Sequence, residues 1–278
     1  MTVESHDSSG GEVRHLYLDV LRGSLAHSLY KELDVGTFEA RNRGVRAAVR
    51  LLRRVGVIPV RIVADAEGMR AEGKDIPMFA QTMIGLKRLD NIRDCIEQII
   101  CDEVPGDLIE AGVWRGGASI FMRGVLKAHG VHDRRVWLAD SFAGLPPPRP
   151  DQYPRDAGSI YHLSARLAVS QEEVRDNFAR YGLLDDQVKF VEGWFSDTLP
   201  SLSDERWSLI RLDGDMYEST MDGLENLYPN LAVGGFLIVD DYALSPCRQA
   251  IHDFRARNGI KAEIREVDWT GAYWRRDG

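Results

Sequence analysis

Asp213, Asp240 and Asp241 stand at the ends of two apolar runs, Leu209-Ile210-Arg211-Leu212 and Phe236-Leu237-Ile238-Val239. Runs of this kind read as buried parallel strands, and neighbouring strands of an open parallel sheet release their C-terminal residues into one crevice. The three carboxylates can therefore converge although 27 positions separate Asp213 from Asp240. Converging carboxylates repel one another without a cation, and oxygen-only ligation selects a hard ion such as Mg2+, with positions left for water or substrate oxygens. A second constellation precedes them. The segment from Glu110 through Gly112, Trp114, Arg115, Gly116 and Gly117 to Ser119 leaves one strand and opens a helix, whose N-terminus offers free N–H groups. Its G-x-x-x-G-G spacing fits S-adenosylmethionine better than the G-x-G-x-x-G of nicotinamide dinucleotides, and a strand-to-helix turn without a ligand is the bland alternative. Asp140, followed by Ser141, lies 28 positions after Gly112 at the end of the next strand, where an acid can accept from both ribose hydroxyls. Gly193, Trp194 and Phe195 end a third strand, where adenine would lie; the two rings either stack on it or fill the core.

These residues need a scaffold that brings strand ends together. After Pro105 strand and helix alternate, the pattern of a parallel sheet covered on both faces. Strands are expected at Asp107–Ala111, Val136–Ala139, Val188–Val191, Leu209–Leu212 and Phe236–Val239, with helices near Ala118–Ala128, Gln171–Tyr181, Tyr217–Leu227 and Pro246–Asn258. Ser170 with Glu173, and Asp215 with Glu218, match the capping box, and Ser245-Pro246 sets a cap before a first-turn proline. The end breaks the rhythm: Ala262–Val267 and Ala272–Arg275 form a hairpin through Asp268-Trp269-Thr270-Gly271. The expected fold is α/β, a Rossmann-like class I methyltransferase sheet over 105–278 with a C-terminal antiparallel hairpin. Before it lie a tail at 1–12, without the charged and apolar segments of a signal peptide, and a helical extension at 13–104 that doubles as a lid for cofactor and acceptor. Within the extension a helix is expected from Val13 to about Leu33, and a basic amphipathic one over Val45–Val63 that packs on the domain with its arginines solvated.

A net charge of -8 argues against a nucleic-acid footprint, which needs a basic stripe. No apolar run reaches the ~18 residues of a membrane span. Cys95, Cys101 and Cys247 lack zinc or disulfide spacing and read as reduced core thiols, in keeping with the cytoplasm. Of seven histidines, His162 alone lies where it could assist an acceptor, and a solvated loop histidine is its simpler reading.

The strings TMIGLKRLDNI from Thr82, EAGVWRGGASIFMRG from Glu110, GWFSDTLP from Gly193, RLDGDMYEST from Arg211 and VDDY from Val239 resemble the macrocin and mycinamicin O-methyltransferase family, which includes the noviose O-methyltransferase of novobiocin biosynthesis. The resemblance runs from about Tyr17 to Arg276. It implies a Mg2+- and S-adenosylmethionine-dependent enzyme that methylates a deoxysugar hydroxyl in a bacterial natural product, and that self-associates through N-terminal helices. Carried onto this chain, it places the metal on Asp213, Asp240 and Asp241, the base on Asp213, and the cofactor cover on Thr82, Met83 and Ile84. Residues 36–66 and 146–166 depart from the family pattern, and both are expected to help form the acceptor pocket. A hydroxyl is a poor nucleophile until a metal lowers its pKa, after which Asp213 can take its proton. A nicotinamide sugar oxidoreductase would share Gly112 and Asp140 but would give the carboxylates no task. A metal-dependent hydrolase or a sugar-binding protein would use the carboxylates but not the glycine turn.

Overall fold

The computed structural model describes residues 5–30, 35–38, 42–62, 66–75 and 78–278. The chain opens with α1 (Ser5–Leu25). An antiparallel pair of β1 (Val35–Thr37) and β2 (Val60–Ile62) follows with α2 (Arg43–Arg54) between them, then α3 (Ala66–Ala71) and α4 (Gly85–Cys101). The alternation then begins with β3 (Asp107–Ala111), α5 (Gly117–Ala128), β4 (Val136–Asp140), α6 (Gln171–Arg180), β5 (Val188–Glu192) and the short α7 (Phe195–Thr198). It continues through β6 (Trp207–Leu212), α8 (Tyr217–Leu227), β7 (Leu231–Val239) and α9 (Ser245–Arg257) to β8 (Arg265–Glu266) and β9 (Ala272–Arg275). The seven-stranded sheet has the order β5-β4-β3-β6-β7-β9-β8; β3 to β7 are parallel, while β9 runs antiparallel to both β7 and β8. The order reverses between β3 and β6, which is where an open α/β sheet forms its binding crevice. This is the doubly wound sheet with a terminal hairpin expected from the sequence.

Alternation along the strands builds two apolar layers. Leu108, Leu138, Leu209 and Ile238 face helices α1, α4, α5 and α6 through Leu21, Ile92, Phe121 and Phe178. Their neighbours Ile109, Ala139, Ile210 and Leu237 face α8 and α9 through Leu224, Ile251 and Phe254. Helices α1 and α4 thus complete the layer that α5 begins. Cys95 and Cys247 are buried thiols as expected, whereas Cys101 is exposed.

Several local expectations change. Helix α1 starts at Ser5, ahead of Val13; residues 1–4 of the expected tail and 31–33 of the expected helix lie outside the described residues, as do 39–41 and 63–65. Helix α2 stops at Arg54 because Gly56 turns left-handed (φ +79°), with Gly56 N–H bonded to Arg53 O and Val57 N–H to Leu52 O. None of its residues is buried, so it does not pack on the domain as expected. Ser170 caps α6 by accepting from Glu173 N–H at 3.2 Å. Leu244 rather than Ser245 takes the N-cap of α9, with Pro246 in the first turn. The box at α8 does not form. Asp215 is itself left-handed (φ +58°), and the free N–H groups of Tyr217 and Glu218 donate instead to Asp156, at 2.7 and 3.0 Å. Asp156 comes from the segment 146–166, so that divergent loop is fastened to the start of α8.

Candidate active site

One cavity of about 770 Å³ opens over the C-terminal ends of the strands. Its first wall is the turn after β3. Gly112 adopts φ +93°, and a Cβ there would lie 1.9 Å from the carbonyl oxygen of Asp213, so the turn can carry no side chain toward β6. Asp140, at the end of β4, accepts the Val113 N–H at 2.7 Å with one oxygen and the Phe142 N–H at 2.8 Å with the other. It therefore straps the glycine turn while itself lining the cavity. Burial pushes its pKa above the usual carboxylate range, against the pull of those N–H groups. Ser141 and Gly193 line the same wall. Trp194 and Phe195 both line it, Trp194 with 38% of its surface exposed and Phe195 also packed against the core behind.

A lid closes this half. Thr82, Met83 and Ile84 line the cavity, and Gly117 N–H at the head of α5 donates to Gln81 O at 3.0 Å. Two expected cofactor contacts are corrected here. Arg115 does not line the cavity; its guanidinium donates to Met78 O at 3.0 Å and Ala80 O at 2.9 Å, which holds the lid from outside. Ser119 is fully buried and gives its hydroxyl to Glu110, so it supports that residue. Trp114 lines the cavity, and its indole N–H donates to Arg166 O at 2.9 Å, joining the glycine turn to the divergent loop.

Behind the strand ends runs a chain of alternating charge. Arg211, 1% exposed, reaches Glu110, Asp240 and, at 3.0 Å, Asp213. Asp240 gives its second oxygen to Arg88 of α4, whose Nε donates at 2.9 Å to Asp268 in the hairpin loop. Burial pushes the Glu110 pKa up to about 7, partly offset by Arg211. For Asp240 burial acts the same way, but the two guanidiniums outweigh it and hold the carboxyl below its ordinary value.

In front of that chain the carboxylates of Asp213, Asp215 and Asp241 gather with their oxygens within 4.8 Å of one another. The Asp215 N–H donates to Asp241 at 3.1 Å. Burial and mutual repulsion raise Asp213 to about 6 and Asp215 to about 7, and push Asp241 well above the normal range. The expected trio is thus altered: both oxygens of Asp240 are taken by arginines, and Asp215, expected as a helix cap, stands in the cluster. Hard oxygens gathered with too little positive charge fit a divalent cation. His162 lies outside the cavity lining.

Arg88, Arg211, Asp215 and Asp156 escaped the sequence reading as functional residues. Arg211 carried a signal, since a charge inside a run of buried strand residues demands partners. Asp156 carried none, for it caps a helix 61 positions away.

The family model described as macrocin-O-methyltransferase (TylF) matches residues 14–276. The chain is 49% identical over 268 residues to the 8-demethyl-8-(2,3-dimethoxy-alpha-L-rhamnosyl)-tetracenomycin-C 4'-O-methyltransferase of Streptomyces olivaceus, which spans 95% of this chain and 94% of that protein. It is 46% identical over 264 residues to the mycinamicin III 3''-O-methyltransferase of Micromonospora griseorubida, over 94% of this chain and 96% of the relative. Among solved structures, the O-methyltransferase NovP superposes with a TM-score of 0.83 at 46% identity, covering 95% of this chain and 100% of that one.

Proposed function

The chain belongs to the macrocin O-methyltransferase family, and from that premise we propose that it methylates a hydroxyl of a deoxysugar borne by a bacterial natural product. The donor in this reading is S-adenosylmethionine, and the reaction depends on Mg2+. The observation that carries it is the meeting of Asp213, Asp215 and Asp241 in the same cavity as the Gly112 turn and Asp140. S-adenosylmethionine supplies the methyl group, and Mg2+ in the acidic cluster lowers the pKa of the acceptor hydroxyl.

The chain's own groups do the rest. Asp140 and the backbone of the Gly112 turn bind and orient the donor, Trp194 offers a face to its adenine, and Thr82, Met83 and Ile84 exclude water from above. Asp213, Asp215 and Asp241 hold the cation. Asp240 acts through Arg211, which it shares with Asp213 and which fixes the direction of that carboxylate. Asp213 takes the proton, as the one member of the cluster that Arg211 also orients, at 3.0 Å.

The reading places the enzyme in the cytoplasm as a homo-oligomer. Among the described residues no helix is long and apolar enough to cross a membrane, and α1 and α2 leave Leu16, Val20 and Leu51 exposed, which supports self-association. The deciding experiment is methyl transfer to glycosides of the kind its relatives use, after chelation and with Mg2+ restored. Activity that vanishes and returns with the metal is the expected result. Full activity after chelation removes the metal from the reading, and no heat of binding with S-adenosylmethionine removes the donor.

A further inference from the structure

Three tryptophans, Trp114, Trp194 and Trp269, line this cavity, and Trp269 has no task so far. Trp269, 50% exposed, sits in the loop between β8 and β9. Four strand spacings, about 19 Å, separate β4, with its Asp140, from β9, so the loop that carries this indole leaves the sheet on the other side of the crevice from Asp140. Its loop is fastened instead to the strand end that carries Asp240 and Asp241, and Trp269 lines the cavity that holds Asp213, Asp215 and Asp241. The next residue, Thr270, donates its hydroxyl to the carbonyl of Asp240 at 3.1 Å, and the preceding Asp268 binds Arg88. Asp268 also accepts the N–H groups of Thr270 and Gly271, at 3.0 and 2.7 Å, which stiffens the loop.

The indole N–H of Trp269 donates to Glu72 O at 2.7 Å. That bond orients the ring and uses its one polar group. What remains for a ligand in the cavity is a fixed π face, which recognises by stacking and by C–H contact and not by hydrogen bonding. A deoxysugar is suited to such a surface, because loss of hydroxyls leaves a continuous C–H face on one side of the ring while vicinal hydroxyls on the other edge stay free. We propose that Trp269 is the acceptor platform: the C–H face of the deoxysugar lies on its indole while the reacting hydroxyl points to Asp213, Asp215 and Asp241. The assignment rests on the sugar O-methyltransferase reading above. It makes Trp269 a specificity-determining residue on the acceptor side of the site.

The test compares Trp269→Ala, which removes the face, with Trp269→Phe, which keeps a face and loses the N–H to Glu72. Acceptor kinetics use the rhamnosylated tetracenomycin named above and mycinamicin III as probes, and methyl α-L-rhamnoside binding is followed by calorimetry on protein with Mg2+ and S-adenosylmethionine. The expected result is an acceptor KM or Kd raised about tenfold or more by Trp269→Ala, with S-adenosylmethionine affinity unchanged, and largely restored by Trp269→Phe. An unchanged acceptor KM in Trp269→Ala, or Phe as poor as Ala, overturns the platform and leaves the indole as a tie to the lid. If the wild-type protein binds S-adenosylmethionine but neither binds nor methylates any of the three glycosides, both the platform and the sugar reading fall.

Discussion

Asp240 and Asp241 are neighbours in the chain and opposites in circumstance. Asp240 faces two guanidiniums and is held ionised; Asp241 faces Asp213 and Asp215 and is pushed toward its neutral form. The contrast extends to the groups around them. Behind the strand ends, Glu110, Arg211, Asp240, Arg88 and Asp268 neutralise one another and join β3, β6, β7, α4 and the hairpin loop. In front, three carboxylates share one space, and Arg211 reaches Asp213 alone among them. The same side chain is held ionised or pushed toward its neutral form according to how many guanidiniums reach it and how many carboxylates it faces.

The sharpest way to break this distinction is Arg211→Met. It leaves Glu110 and Asp240 buried without their shared cation, a loss that costs about 3–5 kcal/mol, and thermal unfolding should show a fall of about 10 °C or no folded protein at all. Asp241→Asn, one residue from Asp240, should leave the melting temperature of chelated protein unchanged or higher, because it relieves repulsion. A large drop in both variants would erase the division between the two groups.

Within the open cluster, Asp213→Asn and Asp241→Asn should both weaken Mg2+ binding measured by calorimetry. Saturating Mg2+ should restore much of the turnover of Asp241→Asn but leave Asp213→Asn slower by about a hundred- to ten-thousandfold, the usual cost of losing a general base. Equal rescue of the two would reduce Asp213 to a ligand.

A smaller effect is expected at the donor end. Asp140→Ala should weaken S-adenosylmethionine binding about ten- to a hundredfold by calorimetry, since charge-assisted bonds of this kind contribute ~1.5–3 kcal/mol. Because Asp140 also accepts the Val113 and Phe142 N–H groups, hydrogen exchange at those two amides should quicken in the same variant. Unchanged affinity would leave the residue as a strap alone.

The smallest effect is a pH dependence. Asp213 and Asp215 bind protons more tightly in the folded chain, near 6 and 7, than in the unfolded one, near about 3.9. Their contribution is therefore fully present below about pH 4 and lost as pH rises through 6 and 7. Chelated protein should melt about 3 °C higher at pH 5.5 than at pH 8, and Mg2+ should flatten or reverse that slope by binding the ionised cluster. A slope indifferent to Mg2+ would separate the cluster from the metal.

Much of this was readable in the sequence, for a stated reason. The strands from β3 to β7 announce themselves as apolar runs, and Asp140, Asp213 and Asp240 are placed by being the first carboxylates after such runs, with Asp241 following Asp240. Distances along the chain carry that information. The fate of Asp240 does not follow from it, because Arg88 lies 152 positions away on α4 and reaches Asp240 only once the sheet is wound. Asp215 was misread for a related reason: a helix start needs a cap, and the sequence offers a local one, whereas Asp156 supplies it from a distant loop and leaves Asp215 for the cluster. The early end of α2 was signalled by Gly56 and Pro59 and outweighed by the periodicity around them.

The close approach of Gly112 to Asp213 has a consequence for how such an enzyme diversifies. Main chain lies against main chain there, so the spacing between the turn proposed to hold the donor and the strand proposed to carry the base is set by backbone, and methyl transfer needs reacting atoms within about 3–3.5 Å. The loops at 144–167 and 267–271 are held by side-chain bonds instead, through Asp156, Trp114 and Asp268. In the proposed assignment, side-chain changes in those loops would alter what is methylated while the backbone contact keeps the reach of the reaction.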